Sequence, residues 1–342
     1  MSGTTERTQR ASDGQAGPRV RPETGARART LAVSAYLVLL VAWSSTIGIP
    51  NDPIGVFLWI WGAFVAWDVQ APRAWHLRFP RDWWPVLLGL VVYWFTRGLV
   101  DELGLPVHVQ MPIDVDTWLA GLVGWDATPT EVLQQAWCGD PCTRDLPPRW
   151  WDRLLTTVYA SHFLVGLTLA AVLWVRDRGH WWAWMRRYLA INYAALVIYL
   201  VYPMAPPWMA SEDGAMGAVE RITSRGWAGT GLDRANIVLQ GMGNPVAAMP
   251  SLHAGIAFLV AIHGVQRLRH PSRWLLLTYP AAMSLALVYF AEHYVVDIVA
   301  GAALALAVVV LVGRWERRRR GPAHGDVEGG SPLAGGGATV LP

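Results

Sequence analysis

The sequence predicts an all-α membrane protein, a polytopic bundle of about eight transmembrane helices. Three observations carry that expectation. The 342 residues are 53% hydrophobic and only 15% charged, whereas a soluble globular chain carries nearer ~25% charged residues. Several apolar runs approach or reach the roughly 20 residues that a helix needs to cross a bilayer. Between them, Arg-rich loops alternate with acidic or neutral ones, the pattern that orients a chain in a membrane. Every basic residue is Arg, with no Lys, and the net charge is a modest +3. Nothing in that balance, and no glycine-rich nucleotide loop, points to a nucleic-acid partner, and nothing marks a protein partner.

Residues 1–30 are polar, rich in Gly, Thr and Arg, and lack an apolar face; they read as a disordered cytoplasmic tail. No cleavable secretory signal is evident in them. Residues 31–83 supply two N-terminal spans, Leu31–Ile49 and a short Trp-rich run from Ile54 to about Val69. A turn at 50–53 separates the two. The third span runs from about Trp84 to Val100 and leads into a long polar segment, 101–153, where acids outnumber Arg about three to one. The fourth (Leu154–Val175) and fifth (Tyr188–Tyr202) follow, then a Pro-, Gly- and Met-rich loop to about Pro245. The sixth (Ser251–Val265), seventh (Trp274–Phe290) and eighth (Tyr294–Val312) complete the set, and 314–342 form a basic, then Gly-rich, cytoplasmic tail. The second span is the weakest, needing a thin local bilayer or snorkelling flanks. The many Trp near span ends read as an interfacial belt.

The basic segments are the N-terminal tail, 73–81, 176–187, 267–273 and the C-terminal run; the acidic or neutral ones are 50–53, 101–153 and 203–245. The positive-inside rule then puts both termini in the cytoplasm of a cell-membrane protein. His253, at the start of the sixth span, and His293, between the seventh and eighth, fall on the same extracytoplasmic side, with the outer end of the third span and its Arg97.

Two polar clusters stand at those edges. In Pro250-Ser251-Leu252-His253, a proline opens a helix whose free N–H groups and dipole favour an anion. His293 and Asp297 are four apart, a helical spacing that sets them on one face. A carboxylate on one ring nitrogen fixes the tautomer and leaves the other as base or nucleophile. The bland readings are a helix cap with an interfacial His, and an ion pair holding a helix end. Glu292 is expected to face water.

Taken together, the PSLH motif and, about forty residues on, His293-Tyr294-Val295-Val296-Asp297 resemble the type 2 phosphatidic acid phosphatase (PAP2) superfamily. PSLH in place of PSGH, and Ala205-Pro206-Pro207-Trp208, are similar to its inositol phosphorylceramide synthase (Aur1-like) branch. The resemblance implies a PAP2-like catalytic membrane domain over 84–313 with a six-helix core. It implies a nucleophile at His293 oriented by Asp297, a general acid at His253 and a phosphate ligand at Ser251, with no metal or organic cofactor required. The substrate it implies is a membrane lipid phosphate, transferred to a lipid or alcohol acceptor or to water; the first makes a phosphotransferase, the second a plain phosphatase. The chain departs from the family at Leu287, where an Arg is usual, and lacks the upstream Lys and Arg-Pro motif. Arg97 either replaces that charge or snorkels to the interface; Arg221, Arg225 and Arg234 are further candidates.

Tyr159 and His162, inside the fourth span, either touch the head group or make buried structural contacts, and Pro207 and Trp208 are candidate pocket residues. Cys138 and Cys142 are candidates for a small disulfide outside the cytoplasm; two Cys without a His pair make a poor metal site. A multi-span transporter or lipid-binding protein is the non-enzyme alternative. Transporters place ionisable residues near mid-membrane in repeated halves, whereas here they gather at one edge with no repeat.

Overall fold

The computed structural model describes residues 23–48, 52–98, 104–230 and 244–320. Arg234 and residues 1–22 and 321–342 of the two predicted tails lie outside the described residues, whereas residues 23–30, expected to be disordered, and 314–320 are helical. The protein is an all-α polytopic bundle, without a β-strand among the described residues. Among the described residues, each predicted span is helical over most of its length. The chain runs through α1 (Glu23–Thr46), α2 (Pro53–Trp67), a short α3 (Arg73–His76), α4 (Arg78–Gly98), α5 (Gln110–Gly121), α6 (Pro129–Trp137), α7 (Trp150–Arg176), α8 (Arg178–Val201), a short α9 (Pro207–Glu212), α10 (Leu252–Arg267), α11 (Thr278–Tyr289) and α12 (Val295–Arg320). Within α1, α7 and α12, the segments Gly25–Thr46, Trp150–Arg176 and Val295–Arg319 are long and apolar enough to cross a membrane by themselves.

Local chemistry sets the ends. Asp52 caps α2 by accepting the N–H groups of Ile54 and Gly55, with Pro53 at the first helical position. Asp177 alone separates α7 from α8, and its carboxylate accepts the His180 N–H at 3.0 Å. The basic loop expected at 176–187 is therefore a single capped turn, and α8 begins ten residues earlier than Tyr188. Arg186 and Arg187 project from that extra length to Glu316 of α12, at 2.6 and 2.8 Å. The polar segment expected at 101–153 contains two helices, α5 and α6. The start of α6 carries a capping box between Thr128 and Glu131.

The bundle has two unlike ends. Where α4 and α8 begin and α7 finishes, Phe79, Trp83, Trp174, Trp181 and Trp184 are buried against one another; the Phe79 and Trp174 rings are 5.2 Å apart and those of Trp83 and Trp181 5.6 Å. These four Trp form core rather than an interfacial belt. Trp43, Trp84, Trp150, Trp182 and Trp315 are exposed and fit a belt. At the other end α10 crosses α12 where Gly255 meets Gly301. A Cβ on Gly301 would lie 2.3 Å from the Ser251 carbonyl oxygen, so only glycine allows this approach. The Ser251 N–H consequently reaches the Asp297 carbonyl at 3.0 Å, binding the start of α10 to the start of α12.

Candidate active site

Three chain segments far apart in sequence close over that second end. Met204 bridges His108 on one side and Ala247 on the other, and the His108 ring stacks on Tyr202 at 3.8 Å. This clasp holds the segment before α5, the end of α8 and the approach to α10 around one cavity of about 280 Å³. Its walls include Arg97, Tyr159, His162, Arg221, His253 and His293.

His253 and His293 face each other across it, with ring centroids 5.8 Å apart. His253 sits in the first turn of α10, stacked on Tyr159 at 4.7 Å and packed against His162 at 4.0 Å. Its Nε2 is buried and has no hydrogen-bond partner among the described residues, so a group entering the cavity could take it. His293 lies before α12 begins at Val295, so the helical-face argument for its pairing with Asp297 does not hold. The pair meets by another route. Asp297, in the first turn of α12, accepts the Tyr294 N–H at 2.9 Å, and the same carboxylate oxygen lies 3.3 Å from His293 Nδ1. With Nδ1 engaged, Nε2 is the nitrogen free for chemistry.

The turn before His293 is strained. Ala291 adopts φ 59°, a left-handed conformation uncommon for a residue with a Cβ. The turn lets the N–H groups of Glu292 and His293 both reach the Leu287 carbonyl, at 3.0 and 3.2 Å. It also points Glu292 inward. Only 8% of its side chain is exposed, against the expectation that it faces water, and it binds Arg221 bidentately at 2.8 and 3.1 Å. Arg221 lies over the Trp208 ring, 5.1 Å from its centroid. Burial works against its charge, but the Glu292 carboxylate more than offsets this and raises the guanidinium's pKa. A fixed cation is therefore held by Glu292, the residue next to His293.

The remaining candidates divide. Arg97, Tyr159, His162 and Trp208 line the cavity, whereas Pro207 and Ser251 are not in its wall. Ser251 is fully buried as the N-cap of α10, its hydroxyl accepting the Ala254 N–H at 3.3 Å. Pro207 is buried at the first turn of α9. Cys138 and Cys142 are joined by a disulfide at the end of α6. Arg225 is too far inside to reach a ligand: 1% exposed, it pairs with buried Asp152 at 2.7 Å and donates to the Tyr289 hydroxyl at 2.7 Å.

Asp116 is a residue that the sequence did not single out. It is fully buried on α5, and its two oxygens accept the N–H groups of Val295 and Val296 at 2.7 and 3.0 Å. It therefore caps the helix that carries Asp297. Burial pushes its pKa up from 3.8 to about 6, partly opposed by those two N–H groups.

The comparisons with known proteins fall on this geometry. Residues 147–311 match the PAP2 superfamily. The match covers a little under half of the chain. It contains Tyr159, His162, Arg221, His253, His293 and Asp297 and leaves α1–α6, with Arg97 and Asp116, outside. Among curated proteins, inositol phosphorylceramide synthase of Candida albicans is 24% identical over 167 residues, covering 43% of this chain and 32% of its own. The inositol phosphorylceramide synthase catalytic subunit aur1 of Schizosaccharomyces pombe is 32% identical over 136 residues, covering 37% of this chain and 31% of its own. The chain thus spans about a third of the length of the curated relatives it matches. No solved structure matches.

Proposed function

We propose that this PAP2-superfamily membrane protein is a phosphotransferase or phosphatase that acts on a lipid-linked phosphate through a phosphohistidine. The observation that carries the reading is the pair of imidazoles facing one another at 5.8 Å across a single cavity, with a carboxylate behind one of them. His293 Nε2 attacks phosphorus in line. The N–P bond forms as the P–O bond to the departing alcohol breaks, and protonated His253 gives that oxygen its proton. His253 then removes a proton from the acceptor hydroxyl or water, whose oxygen displaces the histidine. Arg221 and Arg97 balance charge on the phosphoryl oxygens, a task that the buried Leu287 does not perform here. Ser251 sets the start of α10, and the helix's first N–H groups favour the anion. The alternation of Arg-rich and acidic loops supports a cavity on the extracytoplasmic side with both termini inside. An alcohol acceptor would parallel the synthases named above.

The test incubates purified protein with labelled phospholipids and prenyl phosphates, with and without alcohol acceptors, and identifies products by mass. His293→Ala and Asp297→Asn are each expected to lower turnover by at least ~100-fold while the protein still melts cooperatively in detergent. Near-wild-type rates in both variants would remove the assigned roles.

A further inference from the structure

A second cavity, of about 110 Å³, adjoins the first. The two share Tyr93, Arg97, His162, Phe163 and Leu252 as common wall. Beyond that wall the chemistry changes. The second cavity is walled by Val56 of α2, Leu90 of α4, Leu167 of α7 and Ile256 of α10, with Tyr188 and Asn192 of α8. It lies deeper along the helices: Leu90 is seven residues from Arg97 on α4, about 10 Å at the helical rise per residue. At its edge stands Trp94, which is 39% exposed. Val56, Leu90 and Leu167 are 3%, 8% and 7% exposed, so they face this space and not the surrounding lipid.

We infer that this cavity is a subsite for the aliphatic chain of the phosphate-bearing lipid, and that α2 and α4 set which chains fit. The inference rests on the reading proposed above and extends it from head group to tail. Continuity decides the occupant: a molecule whose phosphate lies between His253 and His293 under Arg97 has, on the other side of Arg97 and His162, a mostly apolar space between the helices that opens at one side. Selectivity in such a place comes from shape. A chain arriving from a bilayer is already in an apolar medium, so it gains little from burial as such, and a wall that intrudes on it rejects it. Two of the walls, α2 and α4, lie outside the region that matches the superfamily. The N-terminal helices would then be the substrate-selecting part of the protein and not an accessory anchor.

The test separates binding from chemistry. Phosphate lipids carrying a photoreactive diazirine part-way down the chain, one acyl and one polyprenyl, are crosslinked to wild type and to His293→Ala in detergent micelles, and labelled residues are located by mass spectrometry. Labelling of Val56, Leu90 or Leu167 in both proteins, competed by the unlabelled lipid, is expected; whichever arm labels names the chain class. Leu58, 51% exposed on α2, reports non-specific lipid contact and should label without competition. Labelling confined to exposed positions such as Leu58 would overturn the inference. This outcome is independent of turnover, so loss of the catalytic reading alone would leave the crosslinks standing. In turnover assays, Val56→Trp should lower kcat/KM for long-chain relative to short-chain substrate by about 10-fold, the factor that 1.4 kcal/mol represents. Leu167→Ala should shift the ratio the other way. The lipid-facing Leu58→Trp should leave it unchanged. Equal losses at all chain lengths, or none, would also overturn it.

Discussion

The two ends of the bundle are buried by different chemistry. At the end where α4 and α8 begin, the interior is Phe79, Trp83, Trp174, Trp181 and Trp184. Ion pairs there, such as Arg178 with Asp82, are partly exposed. At the cavity end the interior holds Asp116, Asp152, Arg225, Glu292, His293 and Asp297, each 8% exposed or less. Ring packing is non-directional and tolerates substitutions that conserve volume. A buried charge stays in place only while its partner does, because removing one member leaves the other desolvated and uncompensated. The aromatic end can therefore stabilise without specifying geometry closely. The charged end gains little net stability from its pairs, yet each pair fixes a position: Arg221 through Glu292, α12 through Asp116, and the 213–230 segment through Arg225. The proposed chemistry, which needs atoms held within fractions of an ångström, is assigned to the end built that way.

The sharpest way to break that contrast is to alter one buried side chain in each kind of surroundings. Asp152 accepts Arg225 and Tyr289 and also the Arg149 N–H at 2.7 Å. Asp152→Ala should lower stability by about 3–5 kcal/mol, read as unfolding in detergent. The double variant Asp152→Leu with Arg225→Met should recover much of that loss, since two matched apolar groups strand no charge. At the aromatic end, Trp181→Phe leaves a small cavity but strands no partner and should cost no more than about 2 kcal/mol; the indole N–H of Trp181 has no partner among the described residues. Similar losses in Asp152→Ala and Trp181→Phe would show that the ends do not differ in kind.

The contrast also explains what could be read before folding. Span positions were legible because apolar runs and flanking Arg are local signals. His253 and His293 were legible because a short motif at each combines with topology to set them on one side. The polar contacts that complete the site were not. Arg221 meets Glu292 across 71 positions, Arg225 meets Asp152 across 73, and Asp116 meets Val295 across 179. No periodicity links such residues. They come together only once the segments around α5, α6 and α9 fold over the cavity. His293 and Asp297 were paired on a false premise, since one precedes the helix that the other begins. Trp83, Trp174, Trp181 and Trp184 were misread because an indole near a span end looks alike whether it faces lipid or a neighbouring helix.

A smaller effect sharpens the picture through pH. Asp116 titrates at about 6 in the fold against a usual 3.8, so the folded state holds this proton more tightly than the unfolded one. Its contribution to stability is fully present below pH ~3.8 and is lost as pH rises through ~6, by roughly 3 kcal/mol at most. Asp116→Asn resembles the protonated form and should not titrate. The melting temperature of the variant is therefore expected to gain on wild type as pH is raised from 4 to 8. A constant difference across that range would mean that burial does not govern this carboxyl. Turnover should move the opposite way at neutral pH. Asparagine offers one acceptor oxygen where two N–H groups need placing, so the variant's kcat should fall more than its KM changes.

The smallest expected effect tests the strained turn itself. At Ala291 the left-handed backbone costs an L-residue about 1–2 kcal/mol, and glycine would remove that cost while adding about 0.5–1 kcal/mol of unfolded-state freedom. Ala291→Gly should then leave stability within about 1 kcal/mol of wild type, with kcat and KM little changed, because φ at this position is what delivers Glu292 and His293. Ala291→Val puts a branched side chain into the same conformation at a site with no exposed surface. It should lower both melting temperature and kcat. If glycine reduced kcat as far as valine, the methyl group and its contacts, not the backbone angle, would be what holds His293, and this turn would belong with the packed end of the molecule.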